Sequence, residues 1–209
     1  MFWLSTGGIL LVAYLLGAIP TGFIVAKVLQ GIDIRDHGSG NTGATNVFRV
    51  VGKPAGLSVL LIDVLKGAGA VLLAQLLALR LAIPPANQAW LMVFAALLAI
   101  LGHSKSVWIG FSGGKSAATG LGVLLALAWP VGLGTAVVFG LVLALSRFVS
   151  LSSMTAAIAA PLMMLLTHQP LPFSLMALAG GIYVIIRHRS NVNRLRNGTE
   201  PKIGSSASV

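Results

Sequence analysis

The chain has 209 residues, of which 56% are hydrophobic and only 9% charged, whereas a soluble domain carries about a quarter of its residues as charges, so a water-soluble globule is excluded. Fourteen Lys and Arg against four acids give a net charge of +10, and cysteine is absent, which excludes disulfides, thiolate nucleophiles and cysteine-ligated metal. The four acids, Asp33, Asp36, Asp63 and Glu200, are too few for a calcium or magnesium cage, so an anion is the expected ligand and no metal site is predicted.

The apolar residues come in long runs rather than in segments of about ten alternating residues, which predicts an all-α membrane bundle and not a barrel. At roughly 20 residues per crossing the length allows about seven spans and no separate soluble domain, so residues 1–209 form one integral membrane domain. Trp3 to Ala26 reads as a retained first span, because no basic region precedes it and no small-residue cleavage site follows. A polar, glycine-rich stretch from Gly31 to Lys53 precedes span two, Pro54 to Leu79. A turn containing Pro84 and Pro85 leads into span three, Ala89 to Leu101, and a second polar loop runs from Gly102 to Ser116. Ala117 to Ser146 would make a single helix of about 45 Å, too long for one comfortable crossing, and Trp129 with Pro130 predicts a break into spans four and five. Span six ends at Thr167 and span seven runs from Phe173 to Ile186. A basic tail follows, flexible from about residue 197 to 209.

Charge supports seven spans. With a break at Pro130, Lys27, Arg35, Arg49, Lys53, Lys105, Lys115, Arg147 and the five cations of the tail share one face, Arg80 lies opposite and Lys66 is inside a span. The positive-inside rule then places the N-terminus outside and the C-terminus in the cytoplasm. All glycine-rich and polar segments fall on that cytoplasmic face, while the other receives tight proline turns.

Four segments on this face could hold phosphate. The first, His37 to Arg49, supplies Gly38, Gly40 and Gly43 for sharp turns, donors at Ser39, Asn41, Thr42, Thr45 and Asn46, and the guanidinium of Arg49. A flexible surface turn would have similar composition. It is neither a Walker loop nor a dinucleotide fingerprint. In the second, Gly113, Gly114, Lys115 and Ser116 precede span four, so amides and an ammonium meet at a helix N-terminus. The alternative for Lys115 is a snorkelling interfacial lysine, and His103 either joins this segment or caps span three. The third contains Arg147, Ser150, Ser152 and Ser153, where Ser150 and Ser153 are either ligands or N-caps. In the fourth, Arg187 to Lys202, His188 and Asn191 share a helical face if span seven continues past the membrane. Mid-span Asp63 and Lys66, three residues apart, form a mutually neutralising pair or face a substrate.

In their order, GSGNTGATNVFR, then GH with GFSGGKSAAT, then Arg147 with Ser150, and finally HRSNVNRLRNGTEPK, with Asp63 to Gly67 between the first two, resemble the PlsY family, the bacterial membrane-integral glycerol-3-phosphate acyltransferases that use acyl phosphate. The resemblance covers nearly the whole chain. Lys105, Ser106, Ser112 and Ser116 depart from its usual pattern, Ser116 standing where Gly is common, but the Gly-Gly-Lys core is intact.

The resemblance implies a multi-pass bacterial inner-membrane enzyme of phospholipid biosynthesis with seven helices, acting as a monomer. It would transfer a fatty acyl group from acyl phosphate to the sn-1 hydroxyl of glycerol 3-phosphate, giving lysophosphatidate and phosphate. No cofactor, metal, nucleotide or acyl-enzyme is implied, nor a nucleic-acid partner. It places Ser39, Arg49, Lys115, Ser150, His188 and Asn191 around the substrates as catalytic residues. Gly38, Gly40, Asn41, Thr45, Asn46, His103, Gly113 and Gly114 shape the binding pocket. The general base stays open between His188 and a substrate phosphate. An anion transporter is the alternative, but a midplane site between internal repeats is expected there, and no repeat is detected. A lipid-binding structural protein would need no glycine loops.

Overall fold

The computed structural model describes residues 2–204; the last part of the expected flexible tail, 205–209, lies outside the described residues. Among the described residues there are ten α-helices: α1 (Phe2–Ala18), α2 (Thr21–Gln30), α3 (Ala44–Val50), α4 (Lys53–Arg80), α5 (Pro85–Ser104), α6 (Ala117–Leu127), α7 (Trp129–Ser146), α8 (Val149–Leu166), α9 (Leu171–Arg187) and α10 (Arg189–Arg196). The described residues contain no strand, only an isolated bridge between Ser106 and Ser112. Two compact units divide the chain between Leu127 and Ala128.

In the first unit α4 is the hub, packing against α1, α2, α3, α5 and α6, and α1 pairs with α5. The contacts are close because small residues line them. A side chain at Gly17 would run into the Ala99 backbone, one at Gly67 into the Thr119 carbonyl, and one at Gly122 into the Val64 carbonyl. An alanine-rich core of Ala13, Ala70, Ala74, Ala95 and Ala99 continues the pattern, as expected where helices associate by close van der Waals packing without a hydrophobic driving force. In the second unit α8 packs between α7 and α9, with α10 following on α9. Leu145, Leu166 and Leu4 are about four-fifths exposed or more, as suits side chains that face lipid.

Among the described residues five helical segments are long and apolar enough to cross a membrane, Leu4–Gln30 among them; α9 with α10 makes a sixth bent by 56°, and α6 is a shorter apolar helix. Seven full crossings are therefore not seen by length: the 11 residues of α6 reach only about 16 Å. Several expected boundaries are also corrected. The first span breaks at Ile19–Pro20 into α1 and α2. Proline cannot donate to the ladder, and two carbonyls at the break find side-chain partners: Ser106 Oγ donates to Ala18 (2.5 Å) and Lys66 Nζ to Ile19 (2.7 Å). Span three begins earlier than expected because Pro85 serves as a first helical residue. Inside the first glycine-rich stretch, Ala44–Val50 is helical, since Val47 docks into an apolar cluster with Ala26, Ile34 and Val59. The break between α6 and α7 falls at Ala128, two residues before Pro130.

Candidate active site

In the first unit the two glycine-bearing loops are joined. Gly38 and Gly40 hold φ of +59° and +67°, the left-handed region that glycine enters without penalty. Asn46, buried at the base of α3, organises this turn: its Oδ1 accepts from the Ser39 N–H (2.9 Å), and its Nδ2 donates to the carbonyls of His37 (3.0 Å) and Ile34 (3.3 Å). Asn41 extends the order outward, accepting from the Gly43 N–H (2.9 Å) and donating to the Gly113 carbonyl (3.3 Å) in the second loop. Arg35 adds another tie. Its guanidinium grips Asp33 in a bidentate pair, lies over the Phe23 ring and donates to the Ile109 carbonyl. The hydrogen bond from Arg35 holds the Asp33 carboxyl down at about 2.

Around this junction Ser39 is exposed on the turn, Thr45 is half-buried in the first turn of α3, Arg49 is exposed in its last turn, and Lys115 is half-buried just before α6. Gly113 and Gly114 owe their identity to crowding rather than to turning, for neither has positive φ. A side chain at Gly113 would meet the His103 carbonyl, and one at Gly114 would strike the His103 ring. Ser116, by contrast, sits at φ +65° and donates its hydroxyl to the Ile100 carbonyl (2.8 Å).

The second unit holds a different cluster. Glu200 accepts from Ser150 Oγ (2.6 Å) and Asn191 Nδ2 (2.6 Å) through one oxygen and from Arg194 Nε (2.7 Å) through the other. Burial raises the Glu200 pKa, but the three donors outweigh it and the carboxyl sits below its ordinary value, so it is a poor base and an effective anchor. His188 is buried at the bend between α9 and α10, with Nδ1 2.7 Å from the Val184 carbonyl. A carbonyl only accepts, so Nδ1 is the ring nitrogen that donates in this contact. Arg147 ends α7 in the left-handed conformation and exchanges two hydrogen bonds with the Ile203 backbone.

Comparison with known proteins bears on this arrangement. The family model described as glycerol-3-phosphate acyltransferase matches residues 7–198. The chain belongs to that family. Glycerol-3-phosphate acyltransferases of Nostoc sp. strain PCC 7120 and Acaryochloris marina are 55% and 51% identical to this acyltransferase, covering 97% and 99% of it and 94% and 96% of their own lengths. Crystal structures of PlsY, an integral membrane glycerol 3-phosphate acyltransferase, in its glycerol 3-phosphate and lysophosphatidic acid forms match with TM-scores of 0.86 and 0.83. Their sequence identities are 40% and 39%, and each covers 96% of both chains. The resemblance read from the motifs is thereby shown, and the protein is a multi-pass membrane acyltransferase.

The structure of this acyltransferase resolves several alternatives. His103 does not cap α5. It lies in the last turn of that helix with Nδ1 3.5 Å from Asp63 Oδ1. Asp63 and Lys66 form a buried pair at 2.8 Å. Neither Ser150 nor Ser153 is the N-cap of α8; Phe148 holds that position, Ser153 Oγ returns to the Val149 carbonyl, and Ser150 reaches Glu200. Asn191 and His188 remain three apart and are linked by the Asn191 N–H to the His188 carbonyl (2.8 Å). The residues from 197 to 203, expected as flexible tail, are fastened by Glu200, by the Thr199 N–H to the Arg194 carbonyl and by Ile203.

Sequence reasoning overlooked Glu200. Its one signal was an isolated carboxylate amid a run of cations in a chain with four acids. Among the described residues no group of three or more His, Asp or Glu could hold a metal ion.

Proposed function

We propose that this protein transfers a fatty acyl group from acyl phosphate to the sn-1 hydroxyl of glycerol 3-phosphate, yielding lysophosphatidate and inorganic phosphate. The observation that carries this reading is the Asn41–Gly113 tie, which joins the glycine turn bearing Ser39, followed by α3 with Arg49, to the Gly-Gly-Lys loop and so puts two segments suited to binding phosphate in one unit. The crystal forms of the structural relative with glycerol 3-phosphate and with lysophosphatidic acid fit the acceptor and the product.

In this mechanism the glycerol hydroxyl oxygen attacks the acyl carbonyl carbon, the bond from that carbon to the phosphate oxygen breaks, and phosphate leaves. The hydroxyl proton goes to His188 or to a phosphate oxygen. Lys115 and Arg49 neutralise phosphate charge, and Ser39, Ser150 and Asn191 orient the reactants. Orientation of two bound reactants supplies about 7 to 11 kcal/mol, and the acyl phosphate is already activated. The site works as a monomer at the cytoplasmic face of the bacterial inner membrane, with the N-terminus outside. Purified protein given acyl phosphate and labelled glycerol 3-phosphate is expected to form 1-acyl lysophosphatidate with release of phosphate. No lysolipid from the wild type would reject the reading, and equal turnover with acyl thioester would reject the donor assignment.

A further inference from the structure

Asp63, Lys66 and His103 are 1%, 7% and 7% exposed and take no part in the chemistry above. A buried ion pair alone is weak evidence of purpose, because an apolar pair of similar volume is often as stable. The third member gives this one a direction. His103 stands on α5 with Nδ1 toward Asp63 (3.5 Å), an electrostatic approach longer than a hydrogen bond. Both groups are buried, so the Asp63 carboxylate is the charged neighbour that this ring nitrogen faces across the contact of α4 with α5. The atoms a side chain at Gly114 would strike are Nε2, Cε1 and Cδ2 of the same ring. The His103 carbonyl accepts from the Gly114 N–H (3.1 Å) and is also what a side chain at Gly113 would meet. The loop that presents Lys115 is thus moulded on His103, and His103 faces a carboxylate of α4.

We infer that Asp63 is a positioning residue, which through His103 sets the geometry of the Gly113–Lys115 loop and hence its capture of a phosphate monoester. The inference rests on the acyl-transfer reading. The phosphate belongs to glycerol 3-phosphate or to the acyl donor, and KM measured for each substrate separates the two. Asp63→Asn combined with Lys66→Met removes both buried charges together, so neither is left uncompensated. This double variant is expected to raise KM for one of the two substrates about tenfold while kcat stays within about threefold. Adding His103→Asn is expected to leave KM no worse than His103→Asn alone, since the two act in series.

Wild-type KM for both substrates in the double variant, or additive effects in the triple variant, would overturn the inference. Should the double variant not fold, nitrogen NMR of histidine-labelled wild type decides. A His103 ring protonated on Nδ1 supports the role, and a ring without that proton rejects it. Absence of turnover in the wild type would reject the acyl-transfer reading instead, and the NMR readout would still stand.

Discussion

Lys115 and Glu200 bear on the proposed function at the scale of single residues. Lys115 follows two glycines whose lack of side chains lets the loop close on His103, so its ammonium is presented by a backbone that has no room to shift. Lys115→Ala is expected to lower kcat/KM by about 10²–10³-fold, the usual effect of losing one preorganised electrostatic donor, with unchanged melting temperature; retained turnover would remove it from the mechanism. Glu200 acts by organising Ser150, Asn191 and Arg194. Its folded pKa lies below the ordinary 4.5, so the stability it contributes is complete above the unfolded carboxyl pKa and is lost as pH falls through the folded one. Wild type is therefore expected to lose more melting temperature than Glu200→Gln between neutral pH and pH values below about 4. Parallel losses in the two proteins would show that Glu200 is not coupled to folding. Ser116 was legible as a departure from the family pattern, but its φ of +65° shows why glycine is common there.

At the level of elements, the crossing of α4 with α6 decides where the Lys115 loop can sit. Gly67 and Gly122 face the backbones of Thr119 and Val64 without room for a Cβ, and the charged group at Asp63 lies one turn from Gly67 on the same helix. Gly122→Leu is expected to force the helices apart and destabilise the protein by about 1–3 kcal/mol or more, read as a lower melting temperature together with reduced activity. A variant of native stability would show that the crossing is not close-packed. The long apolar runs and the prolines announced most of the helices, but not α3 or the break at Pro20. Val47 makes α3 by docking on α2 and α4 residues, and the break is tolerable because Lys66 and Ser106, 47 and 88 residues away from their partners, satisfy its carbonyls. No local pattern carries such information.

For the molecule as a whole, the proposal requires the loop of the first unit and the bend of the second to face the same aqueous compartment. The chain has no native cysteine, so single-cysteine labelling needs no background removal. Exposed Lys105 and Ser190, each replaced by Cys, are expected to react with a membrane-impermeant maleimide from the cytoplasmic side, and Asn87→Cys only from the opposite side. Labelling of positions 105 and 190 from different sides would rule out the proposed acyl-transfer mechanism.

What the sequence by itself determined was the solvent, the class and the chemistry of the loops. Long apolar runs with few charges have no stable home in water, and glycine turns interleaved with Ser, Asn, Arg and Lys have the makings of anion nests wherever they fold. Only tertiary structure decided which polar groups meet. Asn41 with Gly113, His103 with Asp63 and Ser150 with Glu200 are separated by 72, 40 and 50 residues. Hydropathy and periodicity report the face a residue takes on its own helix, whereas such pairings depend on where other helices, drawn close by glycine and alanine, come to rest against it.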